Sequence, residues 1–338
     1  MDNDKFIKFG VGIIVLFLVG VFLRLAKPVL VPFFLALFLS FAIAPVLDFL
    51  VRRKIPKSVA LTAILLVMFA LFYLVGALFF SSGKTMAADL PSFNDMIKSV
   101  LAGVDQTIKN PRLKTDIMNW INGLNAERVG PLIISVLGTF FSFTSELLVV
   151  FVFMMFILAG RGRMEKKVVL AFSPEQATTV TRAVRRIDHE VQKYLAVKSL
   201  VNLVVGGLTA AITALFGLPF ALVFGVLTFI LNYIPNFGSI IATVLPVLLA
   251  GFFFPTLGRA IGLVIVLMAM HMAVGNIFEP KLMGKGLALS PLLVIFALFF
   301  WGWLWGIPGM ILAIPILAVV KIILGNIPSL KFLEALMD

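Results

Sequence analysis

Long apolar runs separated by short polar breaks make up most of this chain. Four runs occupy roughly 6–23, 28–50, 58–80 and 132–158, each near the ~20 residues an α-helix needs to cross a bilayer. Beyond residue 195 the apolar character continues almost to the end, with Pro/Gly breaks near 217–219, 235–238, 255–258, 279–286 and 306–309. Two stretches have an amphipathic rhythm instead. Between 81 and 130, Leu90, Phe93, Ile97, Val100, Leu101, Val104 and Ile108 recur at helical spacing, and Leu113, Ile117, Ile121 and Leu124 do so after Pro111. Between 161 and 198, Ser173–Pro174–Glu175–Gln176 supplies an N-cap, a proline at N1 and a glutamine at N3. Val180, Val184, Ile187, Val191 and Tyr194 then form one face, with Arg182, Arg185 and Arg186 largely off it. This second helix is expected to run directly into the span after Leu195. Its stripe predicts packing on a neighbour or lying in the interface, with gating or oligomer contacts as the alternative.

The stretch from His271 to Leu324 is apolar enough for lipid, yet Gly275–Asn276, Glu279–Pro280–Lys281, Gly284, Gly286 and Gly306–Ile307–Pro308–Gly309 interrupt it. Broken helix at membrane depth survives only inside protein or beside a water-filled cavity, and such breaks are where transporters bind cargo. An earlier run from Leu218 to Phe254 resembles the run from Leu289 to Leu324. Each starts at a proline (Pro219, Pro291) and breaks at Ile–Pro beside a glycine (Ile234–Pro235–Asn236–Phe237–Gly238; Ile307–Pro308–Gly309). Each meets another proline afterwards (Pro246, Pro315). From first proline to break is about 25 Å of helix, short of a hydrocarbon core of about 30 Å. Two interrupted hairpins of opposite sense point to an inverted repeat around a central site. Plain spans with ordinary loop prolines are the competing reading.

Composition fixes the class. Hydrophobic residues make up 61% and charged residues 13%, and mean hydropathy is +1.12, far from soluble proportions of about 45–50% and about 25%. The predicted fold is therefore all-α: a polytopic membrane protein with about eight membrane segments or more, two broken or re-entrant hairpins, and external and cytoplasmic amphipathic helices. The net charge of +12 does not indicate nucleic acid, because the basic residues sit beside apolar spans. Arg52, Arg53, Lys54 and Lys57 follow the second span; Arg161, Arg163, Lys166, Lys167, Arg182, Arg185 and Arg186 follow the fourth. Both loops are expected in the cytoplasm, where they attract anionic lipid headgroups. The 81–130 segment, with six basic and five acidic residues, faces outward. An even number of spans precedes each basic loop, which puts the N-terminus inside. Lys321 and Lys331 agree with an inward C-terminus. No cleaved leader is expected, since Asp2 and Asp4 dilute the positive region and no A-x-A site follows the long apolar run. The expected organisation is three helices in 1–80, an external insert in 81–130, a span in 131–160 and a cytoplasmic helix in 161–198. A transport core in 199–325 and a cytoplasmic tail in 326–338 complete it.

Few residues carry candidate chemistry. Cysteine is absent and there are two histidines, His189 and His271, so no disulfide, thiolate or histidine-built metal centre is expected. No GxxxxGK[ST] loop, nucleophile elbow or HExxH is present, and neither an enzyme nor a cofactor is predicted. Glu146 lies near the middle of the fourth span, where a carboxylate costs about 2.5–3.5 kcal/mol on insertion scales. It must face protein, water or a cation, or stay protonated, which makes it a candidate proton carrier; a shifted span would bring it to the interface. Asp48 is expected to pair locally with Arg52 or Arg53. Glu279 precedes Pro280 and should mark a helix end with free carbonyls. With Asn276 and Lys281 it either binds a solute's hydroxyls or makes a salt bridge to Lys281 or Lys285. His271 reads as a packing residue or a proton relay. Asn202, Asn232 and Asn236 add neutral polar groups, while Pro235, Gly238, Pro308 and Gly309 shape the breaks. Trp301, Trp303 and Trp305 are expected in an interfacial aromatic belt rather than a sugar-stacking platform.

The pieces GLPFALVFGVLTFILNYIPNFGSIIATVLPVLLA (217–250), HMAVGNIFEPKLMGKGLALSPLLV (271–294) and WGWLWGIPGMILAIPILAVVKIIL (301–324) resemble the autoinducer-2 exporter (AI-2E) family of bacterial membrane proteins. The first 160 residues resemble it in layout. The HM-x-x-GN-x-x-EP arrangement and the WGWLWG run are most similar to the autoinducer-2 exporting branch. The resemblance implies a homo-oligomer in the bacterial inner membrane, a pentamer among the options, that moves the quorum-sensing signal autoinducer-2. Other members of the family resemble sodium or lithium/proton antiporters.

Three functions follow as expectations. The first is export of a small hydrophilic solute, autoinducer-2 in particular, with proton or sodium coupling or down its own gradient. The second is a sodium or lithium/proton antiporter using Glu146 and Glu279. The third is a non-transporting membrane scaffold.

Overall fold

A computed structural model describes residues 2–107, 111–113, 115–116, 118, 147–161, 170–171, 173–254, 256–283, 289–327 and 330–337. The described residues are helical, with no strand among them. The helices are α1 (Asp2–Leu25), α2 (Lys27–Arg52), α3 (Lys57–Thr107), α4 (Leu147–Gly160), α5 (Pro174–Leu215), α6 (Ala221–Leu231), α7 (Phe237–Phe253) and α8 (Leu257–Ala273). A π-turn (Val274–Phe278) leads into α9 (Glu279–Met283), followed by α10 (Pro291–Trp305), α11 (Ile307–Gly325) and α12 (Lys331–Leu336). Among the described residues, five stretches are long and apolar enough to cross a membrane: Lys27–Arg52, Lys57–Thr85, Pro174–Leu215, Gly258–Met283 and Ile307–Gly325. Shorter apolar helices accompany them. The protein is an all-α polytopic membrane protein.

The helices fall into two compact units. The first comprises 1–65, 146–196 and 285–338. Its core gathers Val31, Phe38, Val191, Leu195, Leu304, Trp305 and Leu312. Trp305 is fully buried, donates from Nε1 to the Leu23 carbonyl at 3.1 Å, and lies against Trp301 and Phe34. It is a core residue, not part of an interfacial belt, because its helix packs on α1 and α11. Trp303 on the same helix is exposed, under the Arg24 guanidinium. Between α10 and α11 stands Gly306, at φ 76° and ψ −149°, a region essentially open to glycine alone. That one residue folds the Trp-rich helix back on α11. Asp48 pairs with Arg161 (3.7 Å) rather than with Arg52 or Arg53, and Arg161 also binds Asp188 at 2.9 Å. Lys57 donates to the carbonyls of Ala159 and Arg161, satisfying free acceptors at the end of α4.

The second unit comprises 66–145 and 197–284. Its apolar core holds Leu218, Phe224, Leu249, Ala250, Phe254, Ala260, Leu263 and Leu267. Gly217 and Phe220, at φ 75° and 64°, turn α5 into α6. Asn236, at φ 61°, turns α6 into α7. Pro246 and Pro315 stand inside α7 and α11, not at breaks. The expected helix end at Glu279 is not observed. Glu279 is helical, and its N–H reaches back five residues to the Val274 carbonyl. The wider π-turn relieves the clash a proline imposes on the preceding turn, so the chain passes through Pro280 without stopping. The residues 284–288 lie outside those described. Helix α3 continues without a break at 81 as far as Thr107; the side chains of its outer stripe, and most of the helix expected after Pro111, lie outside the described residues.

Candidate functional site

From Val197 to Leu215, helix α5 has an outer face of Leu200, Leu203, Val204, Leu208 and Leu215, all exposed. Its buried face carries Lys198, Asn202, Thr209 and Thr213 beside Val201, Val205 and Gly206. That arrangement inverts a soluble helix. It is what a membrane helix needs, since lipid is as apolar as leucine and small or polar residues make the contacts between helices.

Three polar pairs tie this face to its neighbours. Lys198 Nζ is ion-paired directly with Glu279 Oε1 at the start of α9. Ser199 and Tyr233 share a hydroxyl–hydroxyl hydrogen bond of 2.6 Å. Asn232 donates from Nδ2 to Asn202 Oδ1 at 2.8 Å. Beyond them the backbones of α5 and α6 touch: a Cβ on Gly206 would lie 2.6 Å from the Gly225 carbonyl oxygen. The lysine is almost fully buried (side chain 4% exposed), and its charge is balanced by one carboxylate. The rest of the row is neutral.

Residues 11–329 match the profile of the AI-2E family transporters. The chain belongs to the AI-2E transporter family. It is 33% identical over 327 residues to a putative transport protein of Borreliella burgdorferi (strain ATCC 35210 / DSM 4680 / CIP 102532 / B31), covering 94% of this chain and 87% of the relative. A putative transport protein of Haemophilus influenzae (strain ATCC 51907 / DSM 11121 / KW20 / Rd) is 30% identical over 326 residues, 95% of this chain and 92% of its own length. The AI-2 transport protein TqsA of Escherichia coli (strain K12) is 28% identical over 327 residues, with 95% and 92% covered. Membership and the spanning helices together make this a multi-pass transporter of the bacterial inner membrane.

In this AI-2E member the candidate residues separate into distinct places. Asn202, Asn232 and Glu279 are brought together through α5. His271 is partly buried on α8. Asn276, Pro280 and Lys281 are exposed. Glu279 does not pair with Lys281, because side chains two apart on a helix point to different faces; Lys285 lies outside the described residues, as does Glu146. Pro235, Asn236 and Gly238 form the α6–α7 turn, where Gly238 packs on the Leu231 backbone. Pro308 and Gly309 belong to the other unit, where Gly309 packs against Trp301 and Trp305. An open pocket of about 510 Å³ at the Gly217–Pro219 turn is lined by apolar and small residues, without a titratable group.

Lys198, Ser199 and Tyr233 in these pairs, and the buried Thr209, are residues that sequence reasoning passes over. Lys198 stands at the end of a basic stretch, where the charge pattern assigns it to the cytoplasmic segment. The available signal is its spacing: Lys198, Asn202 and Thr209 repeat at i, i+4 and i+11 on an otherwise apolar helix.

Proposed function

We propose that this protein exports a small, uncharged, hydroxyl-rich signal of the autoinducer-2 type across the inner membrane. The observation that carries this reading is the neutral polar row on α5 and α6. Asn202 pairs with Asn232, and Ser199 with Tyr233, inside an apolar helical unit, and the charge beside them is internally compensated. Polar groups in such surroundings are expensive and mark a solute path by default. Amides and hydroxyls without net charge suit a polyol better than an ion. Likeness to the AI-2 transport protein of Escherichia coli supports the same cargo. Export is the direction assigned, with N- and C-termini cytoplasmic and a homo-oligomeric assembly.

The re-entrant reading of the hairpins is part of this proposal. Helix α6 has 11 residues, about 16 Å of helix, half of a hydrocarbon core of about 30 Å. Helix α10, with 15 residues, reaches about 22 Å.

A second reading, cation/proton antiport, has one observation in its favour: Glu279 is a partly buried carboxylate paired with a lysine, so a cation and Lys198 would compete for it. Vesicle reconstitution separates the two. The expected result is autoinducer-2 flux above protein-free vesicles, with sodium- or lithium-linked proton flux absent. Autoinducer-2 flux no greater than that of empty vesicles would sink the export reading. Proton flux that disappears in Glu279→Gln or Glu146→Gln would establish antiport instead.

A further inference from the structure

Five buried side-chain atoms lack a hydrogen-bond partner among the described residues, and four of them lie in the second unit: Asn202 Nδ2, Thr209 Oγ1, Thr228 Oγ1 and His271 Nε2. Asn202, Thr209 and Thr228 are completely buried. Burying an unpaired polar atom opposes folding, so each such group in a native protein asks for an explanation. A helical threonine ordinarily satisfies itself by donating back one turn, as Thr213 does to the Thr209 carbonyl at 2.7 Å. Thr209 and Thr228 do not.

The helix contacts place these four groups along about two turns of α5. Ser199 meets Tyr233, Asn202 meets Asn232 and Gly206 meets Gly225, so α5 and α6 run antiparallel. Lys198 meets Glu279, Phe216 meets Gly262 and Gly217 meets Arg259, so α5 and α8–α9 are antiparallel as well. Eight residues along α5 from Lys198 is Gly206; eight residues back from Glu279 is His271. Thr228 stands next to Phe229, which also meets Gly206. Asn202 and Thr209 flank Gly206 on α5, about 20° apart around the helix, on the flank where Lys198 reaches Glu279. Gly225, Thr228 and Asn232 share a face of α6. Three helices thus carry unpaired neutral groups within about 6 Å, measured along α5, of a glycine–glycine contact.

We propose that Asn202, Thr209, Thr228 and His271 form the cargo site, shut in this conformation by the backbone contact of Gly206 with Gly225. An amide, two hydroxyls and an imidazole nitrogen offer donors and acceptors without net charge. The ligand they fit is a small neutral polyol whose hydroxyls replace the missing partners once α6 moves off α5. The assignment rests on the neutral-solute reading above and adds the atoms that hold the solute.

The test uses Thr209→Val and Thr228→Val, which keep shape and remove the hydroxyl, with Thr228→Ser as the variant that keeps it. Vesicle flux of autoinducer-2 and of radiolabelled ribitol is measured beside thermal unfolding of each purified protein. Each valine variant is expected to lose about tenfold in initial flux, with an unchanged or raised Tm, since the lost hydroxyl had no partner. Thr228→Ser is expected to keep wild-type flux. Valine variants that transport like the wild type overturn the site alone. Valine variants with a clearly lowered Tm overturn it too, by showing that the hydroxyls are structural. Wild-type vesicles that move neither probe overturn the neutral-solute reading and the site with it.

Discussion

Lys198 is buried where a lone charge would be unstable, and the partly buried Glu279 is its counter-charge. Removing one partner of a buried pair leaves an uncompensated charge and costs about 3–5 kcal/mol, whereas replacing both by apolar residues of similar volume is often neutral. Glu279→Ala, which strands the buried lysine, is therefore expected to lower the Tm of the detergent-solubilised protein strongly, and Lys198→Met combined with Glu279→Leu to recover most of it. Equal destabilisation by the single and double variants would contradict the pairing. Asp48 is different. Its side chain is 49% exposed beside Arg161, and exposed pairs of that kind contribute little. At this scale the sequence identifies which residues carry polarity inside apolar runs, including Asn202, Asn232, His271 and Glu279. It does not identify their partners. Lys198 lies 81 positions from Glu279, and nothing local distinguishes it from the basic residues before it.

Among the helices, the α5–α6 contact is set by what is missing from two residues. A methyl group on Gly225 would lie 2.7 Å from the Gly206 carbonyl oxygen and 2.8 Å from Ala210 Cβ. Overpacking of this kind costs about 1–3 kcal/mol. Gly225→Ala is thus expected to lower the Tm and disturb transport. Gly207→Ala, adjacent to the contact on α5 but facing open space, is expected to raise stability by up to about 1 kcal/mol through helix propensity. A pair of Tm values checks both; the idea fails if Gly207→Ala is the more damaging. The same scale explains the passage through Glu279–Pro280. Proline chemistry marks the place correctly as irregular, but a π-turn absorbs the irregularity and the helix goes on. The breaks at 232–236 and at Gly306 did stop their helices, because a positive φ at Asn236 and Gly306 redirects the chain.

For the molecule as a whole, the absence of cysteine makes orientation directly measurable. Single-cysteine variants Arg52→Cys and Lys109→Cys are expected to react with a membrane-impermeant maleimide from opposite sides, the first from the cytoplasm and the second from outside. Labelling of both from one side would reverse the positive-inside assignment. The residues 199–325, which read as one continuous transport core, are divided between the two compact units at about residue 284. Pro308 and Gly309 belong to the first unit, and Asn202, Asn232 and Glu279 to the second. The sequence by itself determined the all-α membrane class, the helix runs and the places where they break. Those features depend on apolar periodicity, on the length of a bilayer and on local backbone chemistry, all of which are written within a few turns of chain. Tertiary structure alone decided that Trp305 is core, that Lys198 neutralises Glu279, and that Asn202 meets Asn232 across two helices. Those are matters of which helices lie side by side. In lipid that choice rests on small residues and polar pairs far apart in sequence, and the hydrophobic pattern carries no record of it.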